Sequence, residues 1–190
     1  MVTFHVIGHR GMLGQVVQRR WQELGGEPAP IATADHIVNC VYPDDWTLLN
    51  GLPLARVIQP STDAISEADG YAVTKRAVER LVKPHGVVIR SGLVDLRKQA
   101  EVSYTNWFVN PLTPLEWADL AWRLRTTRGL HLDGREMTSK HGVAVACHEV
   151  FGTVKPHPTL APLSRFRIVH QSSPWPPLRE ALETYRGWLG

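Results

Sequence analysis

The chain has 190 residues, 43% of them hydrophobic and 21% charged, with a formal net charge of +3 at pH 7. That length is enough for one good core, and the scattered basic residues (Arg19-Arg20, Arg97-Lys98, Arg123, Arg125, Arg128) carry no nucleic-acid motif. The apolar runs fall short of the ~20 residues that cross a bilayer, and the first is interrupted by His5 and Gly8, so neither a membrane span nor a secretory leader is expected.

The first strand begins at Val2 and runs into Gly8-His9-Arg10-Gly11-Met12-Leu13-Gly14, three glycines at the spacing G-x-x-G-x-x-G. A strand, a tight turn and a helix start in that order suit a nucleotide diphosphate. Glycine permits positive φ and close backbone approach, and a helix N-terminus offers unpaired N–H groups and the positive end of its dipole. Met12, Leu13, Val16, Val17, Trp21 and Leu24 recur at helical spacing before Gly25-Gly26, which predicts an amphipathic helix over 11–24. A turn-rich segment from Glu27 to Ala34 follows, with 29–33 at best a remnant strand, and His36–Val41 reads as a second buried strand. Residues 44–50 have the pattern of one or two helical turns. A third strand is expected from Leu54 to Pro60, ended by the proline, with Ser61-Thr62-Asp63 at its carboxyl end.

From Gly70 the period is helical again, Tyr71, Val78, Leu81 and Val82 lying near one another on its surface, and Pro84-His85-Gly86 closes this helix before a strand at Val87–Arg90. Residues 91–112 show little period and read as a loop along one edge. Thr113-Pro114-Leu115-Glu116 is a capping box with proline at the first helical position, opening a helix through Leu124. Leu130–Leu132 reads as a short strand, Thr138 or Ser139 as the cap of a helix reaching Phe151-Gly152, and Leu178–Trp188 as the last helix. Alternating strands and helices predict an α/β fold: a Rossmann-like, doubly wound, mainly parallel sheet with a small helical C-terminal part. It is expected as one domain, residues 1–95 forming the nucleotide-binding core and 96–190 a reduced substrate-side region. In such sheets ligands gather at the carboxyl ends of the strands, where Gly8–Gly14 and Ser61–Asp63 both fall.

Tyr71 and Lys75 form Y-x-x-x-K, which on a helix places both side chains on one face, one turn apart. A tyrosine hydroxyl of ordinary pKa about 10 is a poor proton donor at neutral pH, and a neighbouring ammonium lowers it by favouring the phenolate. Ser61 or Thr62, at the end of the preceding strand, is placed to hydrogen-bond a carbonyl oxygen that the tyrosine protonates.

These motifs together resemble the extended short-chain dehydrogenase/reductases, in particular the dTDP-4-dehydrorhamnose reductase and GDP-fucose synthase branches. Gly8–Gly14 is close to a GHRGMVG fingerprint, Ile37-Val38-Asn39-Cys40 to a VINC strand, Ser61-Thr62-Asp63 to an STD motif, and Tyr71-x-x-x-Lys75 to the catalytic pair. Asn110–Thr113 with Asp119-Leu120-Ala121 resembles the G-x-P-T and D-L-A signatures, and Gly129–Gly134 with Thr138–Lys140 the G-x-y-H-x-x-G element. The resemblance implies an oxidoreductase that reduces a keto group on a nucleotide-sugar with NADPH, NADH being the lesser candidate. Gly8, Gly11 and Gly14, with Met12 and Leu13, would hold the cofactor pyrophosphate, Arg10 its 2′-phosphate, and Asn39 and Cys40 would line the cofactor. Tyr71 would donate the proton, Lys75 would lower its pKa and hold the nicotinamide ribose, and Thr62 with Ser61 would bind the carbonyl oxygen.

The pattern is also shortened. Between Gly8 and Tyr71 there is room for fewer β-α units than the family places there, no acidic residue stands where the adenosine ribose is held, and Ala64–Gly70 is all that remains of a substrate-side loop. Two readings follow: a minimal cytoplasmic reductase, or a relative that has lost chemistry and serves as a nucleotide-binding or protein-interaction module. Self-association into a homodimer is compatible with the sequence. Cys40 and Cys147 have no C-x-x-C partner and are expected as buried small side chains of a protein in a reducing compartment. The histidines show no H-x-x-x-H pair, so no metal site is expected. Trp107 and Trp175 could wall a sugar or base, and Arg165, Arg167 and His170–Ser173 could meet a substrate diphosphate.

Overall fold

Strand β1 (Val2–Ile7) is the axis of the first half of the chain. In the computed structural model, which describes residues 1–41, 49–62, 70–96, 101–161, 165–166 and 175–190, it runs parallel to β2 (Gly26–Pro28) on one side and β3 (His36–Asn39) on the other. Next to β3 lies β4 (Val57–Thr62), parallel and in register at Val38 opposite Ile58, and β5 (Val87–Leu93) follows it. Helix α1 (Met12–Glu23) carries the chain from β1 to β2 on one side, whereas β3 takes its place on the other. The order β2-β1-β3 therefore reverses at β1, the switch point outside whose strand ends sheets of this kind bind their ligands.

The period of two along β1 sets the layers. Phe4 meets Trp21 of α1 edge-on, ring centroids 5.3 Å apart. Ile7, on the opposite face, packs against a cluster of Ile37, Val57, Val78, Val82 and Val88 that includes helix α2 (Gly70–Val82). Helices thus cover both faces, the arrangement of a doubly wound α/β fold. Trp21 is fully buried, donates its indole N–H to the Ala118 carbonyl at 3.0 Å and lies 5.2 Å from Trp122, both in helix α3 (Pro114–Leu124). Beside it Arg20 donates to Asp119 at 2.6 Å. These contacts draw 117–131 into the first of two units: Met1–Arg90 with Trp117–His131, and Ser91–Glu116 with Leu132–Gly190.

The segment 27–34 is not all turn. Gly26–Pro28 is the short strand β2, and the turn follows it, with Thr33 and Ala34 both donating to the Pro30 carbonyl at 3.0 Å. Pro60 does not end β4 but lies inside it. The register that sets Val38 opposite Ile58 carries β3 no further than Gln59, so the missing N–H of Pro60 breaks no bond to β3. The helical turns expected at 44–50 lie mostly outside the described residues.

In the second unit, the described part of 91–112, expected as a loop, contains strands: the end of β5, then β6 (Val102–Tyr104), β7 (Trp107–Val109) and β8 (Pro111–Leu112). Gly92 and Leu93 pair with Pro111 and Leu112. Strands of two or three residues are too short to show an alternation. The strand expected at 130–132 is present as β9 (Gly129–Leu132), which pairs with β5. Strand β10 (Thr138–Ser139) runs antiparallel to β7, and β6 pairs with β11 (His157–Thr159) and β7 with β12 (Arg165–Phe166), both in parallel. Helices α4 (Lys140–Phe151) and α5 (Leu178–Leu189) share a core of Val94, Val109, Val143, Cys147, Val150 and Leu182. The Ser139 hydroxyl accepts from the Gly142 N–H at 2.9 Å, and Gly152 closes α4 with φ 65°, the cap and stop expected from sequence.

Candidate active site

The switch point is bordered first by the glycine turn. Gly8 has φ 81°, and a Cβ there would stand 3.0 Å from Val41 Cγ2 and 3.1 Å from the Cys40 carbonyl carbon, because the chain leaving β3 runs directly past it. The Gly11 N–H donates to the Gly8 carbonyl at 2.9 Å and closes the turn. At Gly11 itself a Cβ would meet only that carbonyl oxygen, at 3.4 Å, so its outer side is open. Gly11 is the N-cap of α1, contributes no side chain to the first turn, and is followed there by no acidic residue. The leading N–H groups of α1, those of Met12 and Leu13 among them, keep the positive end of the dipole uncompensated. That environment suits an anion.

Arg10 and His9 are exposed on this turn, and the Arg10 carbonyl is held by Gln15 Nε2 at 3.0 Å. Next to it a cavity of about 300 Å³ is lined by Phe4, His5, Val6, His9, Gln18 and residues 28–30. Among the described residues no acidic side chain lines it. His5 Nδ1 donates to the Ala29 carbonyl at 3.0 Å and fixes the end of β2 against β1.

The carboxyl ends of β3 and β4 form the other border. Buried Asn39 donates from Nδ2 to Gln59 Oε1 at 2.8 Å, and Gln59 in turn donates from Nε2 to the Pro60 carbonyl at 2.9 Å. The same carbonyl accepts from Lys75 Nζ at 3.1 Å. Lys75 is 7% exposed, and its Nζ lies 5.7 Å from the centroid of the half-buried Tyr71 ring. Burial lowers the Lys75 pKa to about 8, against the opposing pull of Cys40 and Glu79. Burial pushes the Cys40 thiol up to about 12, so it stays protonated and contributes surface, not a nucleophile. Thr62 and Ser61 are buried at the end of β4; Asp63 lies outside the described residues.

Ser61 is committed elsewhere than a substrate oxygen. Its hydroxyl donates to Glu79 Oε1 at 2.5 Å, and Arg90 grips the same carboxylate with Nε at 3.1 Å and Nη2 at 2.6 Å. Sequence reading missed Glu79 and Arg90. A signal existed for the first, since Glu79 continues the four-residue spacing of Tyr71 and Lys75, and for the second, since Arg90 is a charge at the end of an apolar strand.

The fold therefore brings together the glycine turn, Asn39, Cys40, Ser61, Thr62, Tyr71 and Lys75 within the first unit. In the second unit, Trp107 is stacked with Tyr104, centroids 5.6 Å apart, and has Lys140 Nζ 3.8 Å from its ring centroid, so its ring already has protein partners. Trp175 donates to Asp133 at 2.7 Å. Arg167 and His170–Ser173 lie outside the described residues. Among the described residues no cluster of three or more histidine, cysteine or carboxylate side chains could hold a metal ion, and no helix is long and apolar enough to cross a membrane.

No sequence-family model and no curated protein matches the chain. Solved structures do. The dTDP-4-dehydrorhamnose reductase of Clostridium acetobutylicum superposes with a TM-score of 0.74 at 14% identity, over 99% of either chain. The dTDP-4-dehydrorhamnose reductase of Bacillus anthracis, solved in complex with NADP, gives 0.72 at 14% identity over 99% of this chain and 100% of that one. The UDP-N-acetylglucosamine 4-epimerase of Bacillus cereus gives 0.66 at 14% identity over 100% and 96%. The chain thus has the Rossmann-type fold of these enzymes, and the resemblance read from its motifs holds at the level of fold.

Proposed function

We propose that this chain is an NADPH-dependent oxidoreductase that reduces a keto group on a nucleotide-linked sugar. One observation carries the reading: the glycine turn and the Tyr71/Lys75 pair converge on the same strand ends, Gly8 against Cys40 after β3, and Lys75 on Pro60 of β4 beside Ser61 and Thr62. A fold does not by itself give an activity, whereas this combination matches what carbonyl reduction requires.

The residues present fit a nicotinamide dinucleotide. The open side of Gly11 and the uncapped start of α1 offer backbone N–H groups to a diphosphate. Among the described residues the cavity beside the turn is lined by no carboxylate that would select a free ribose 2′-hydroxyl, and exposed Arg10 stands on the same turn, which supports the 2′-phosphorylated form. When bound, the cofactor supplies the hydride. The protein's part is to hold and move a proton: the Tyr71 hydroxyl gives its proton to the carbonyl oxygen, the Lys75 ammonium favours the phenolate left behind, and the Thr62 hydroxyl steadies the oxygen. That two neighbours in fold are named dTDP-4-dehydrorhamnose reductases, one of them in complex with NADP, supports the substrate class and the cofactor. The unpaired Cys40 and Cys147 accord with a reducing compartment, and we place the activity in the cytoplasm.

The test is a titration of NADPH and NADH fluorescence with the wild type and Arg10→Ala, followed by turnover on dTDP-4-dehydrorhamnose. Saturable NADPH binding that weakens about tenfold in Arg10→Ala, with NADH little changed, is the expected result. No saturation by either cofactor at high micromolar concentration overturns the reductase and leaves a binding module.

A further inference from the structure

Helix α2 is fastened to the sheet by two successive turns. Lys75 donates to the Pro60 carbonyl, and four residues on Glu79 receives the hydroxyl of Ser61, the next residue of β4. Glu79 is itself buried, and its second oxygen is taken by Arg90 Nη2 from β5 at 2.6 Å. The carboxylate thus ties three elements together directly behind Lys75. Two things follow. The bond to Ser61 fixes the level of α2 along β4 and hence where Lys75 and Tyr71 stand relative to the strand end. The negative charge also faces an ammonium that is taken out of water.

We infer that Glu79 is a positioning residue for the Tyr71/Lys75 pair, holding Lys75 at the end of β4 through Ser61 and Arg90. The inference rests on the reductase reading for its catalytic meaning, but not for its physical content. Burial disfavours the Lys75 ammonium, Cys40 and Glu79 oppose that shift, and Tyr71 contributes a ring face, while Arg90 is paired with the Glu79 carboxylate. Removing the carboxylate charge takes away one of the two groups that oppose the effect of burial, so the amine loses its proton at lower pH. A merely structural clamp would change the melting temperature and leave the titration of Lys75 in place.

The experiment uses the full chain without cofactor, labelled with ¹³C and ¹⁵N at lysine, and follows the Lys75 side-chain signal against pH in the wild type, Glu79→Gln and Glu79→Asp. In Glu79→Gln the Lys75 midpoint is expected to fall by about half a pH unit or more, with Glu79→Asp restoring most of it. NADPH-dependent turnover should lose its alkaline limb by the same shift. An unchanged midpoint in folded Glu79→Gln overturns the inference. If that variant does not fold, Ser61→Ala removes one arm of the clamp with the charge kept. Turnover is then expected to fall about threefold at unchanged cofactor affinity, and unchanged turnover overturns the positioning role. A Lys75 shift in a protein that binds no cofactor retires the reductase reading and leaves the hold of Glu79 on Lys75 established.

Discussion

A Cβ on Gly14 would stand 2.2 Å from the carbonyl oxygen of Gly8 and 2.8 Å from its carbonyl carbon. The obstacle is backbone, and that backbone is the glycine turn, so a side chain at 14 pushes α1 away from it. Gly14→Ala is expected to cost about 2–4 kcal/mol in urea denaturation, above an ordinary overpacking change, and to weaken NADPH fluorescence binding at least about tenfold. Gly25 supplies the control. Its φ is 86°, but a Cβ there meets nothing within 4 Å, so Gly25→Ala carries only the strain of a left-handed backbone, about 1 kcal/mol, and leaves binding unchanged.

That turn was legible in the sequence because its physics is local: glycine spacing, strand before, helix after. The same holds for the capping box at Thr113–Glu116, where Thr113 Oγ1 accepts from the Glu116 N–H at 3.2 Å and Glu116 Oε2 accepts from the Thr113 N–H at 2.9 Å. The Tyr71/Lys75 pair was legible for the same reason. What sequence reading did not find joins residues far apart along the chain. The Asn39–Gln59 amide pair and the Ser61–Glu79–Arg90 clamp depend on the register between strands and on which face of α2 meets β4. Ser61 stood beside Thr62 as a carbonyl ligand in the sequence reading, and its hydrogen bond to Glu79 could not be seen there. Strands β6 to β8 were hidden because each is too short to set a period.

Tyr71→Phe isolates the proton. The ring stays, with Lys75 Nζ 5.7 Å from its centroid, and only the hydroxyl is lost. NADPH affinity is expected to stay within about twofold, while turnover of a nucleotide-linked keto sugar falls about a hundredfold or more, the ordinary worth of a positioned general acid. The decay of NADPH absorbance reads the second quantity. Turnover at wild-type rate would show that the proton comes from another group.

Lys75 is costly to bury. Its pKa is lowered to about 8 in the fold, chiefly by desolvation, from 10.5. Between those values the unfolded chain holds a proton that the folded chain does not, so stability rises as pH rises through that window, and the full penalty stands below pH 8. Lys75→Met removes it at the loss of one hydrogen bond to Pro60. At pH 7 the variant is expected to be about 2–3 kcal/mol more stable than the wild type. The difference should be flat below pH 8 and shrink towards pH 10.5. A difference that grows with pH would reverse the assignment. The variant should be inactive, which puts the cost of the buried amine at the site of the proposed chemistry.

In the second unit, Arg135 and Glu116 form a buried pair of unequal partners. Glu116 has other bonds, since its Oε2 also accepts from the Thr113 N–H and hydroxyl. Arg135 is 4% exposed and donates from Nη2 to Glu116 Oε1, while its Nε and Nη1 have no hydrogen-bond partner among the described residues. Burial lowers its pKa, and Glu116 opposes that shift. Removing the carboxylate therefore strands a buried guanidinium and uncaps α3 at once. Removing the guanidinium leaves a carboxylate that still caps its helix. Glu116→Ala is expected to cost about 3–5 kcal/mol, and Arg135→Met less than about 2 kcal/mol. The double variant should be more stable than Glu116→Ala alone, because the stranded charge is gone. Urea denaturation of the four proteins measures this directly, and equal costs for the two single variants would show that Arg135 is satisfied by something other than Glu116.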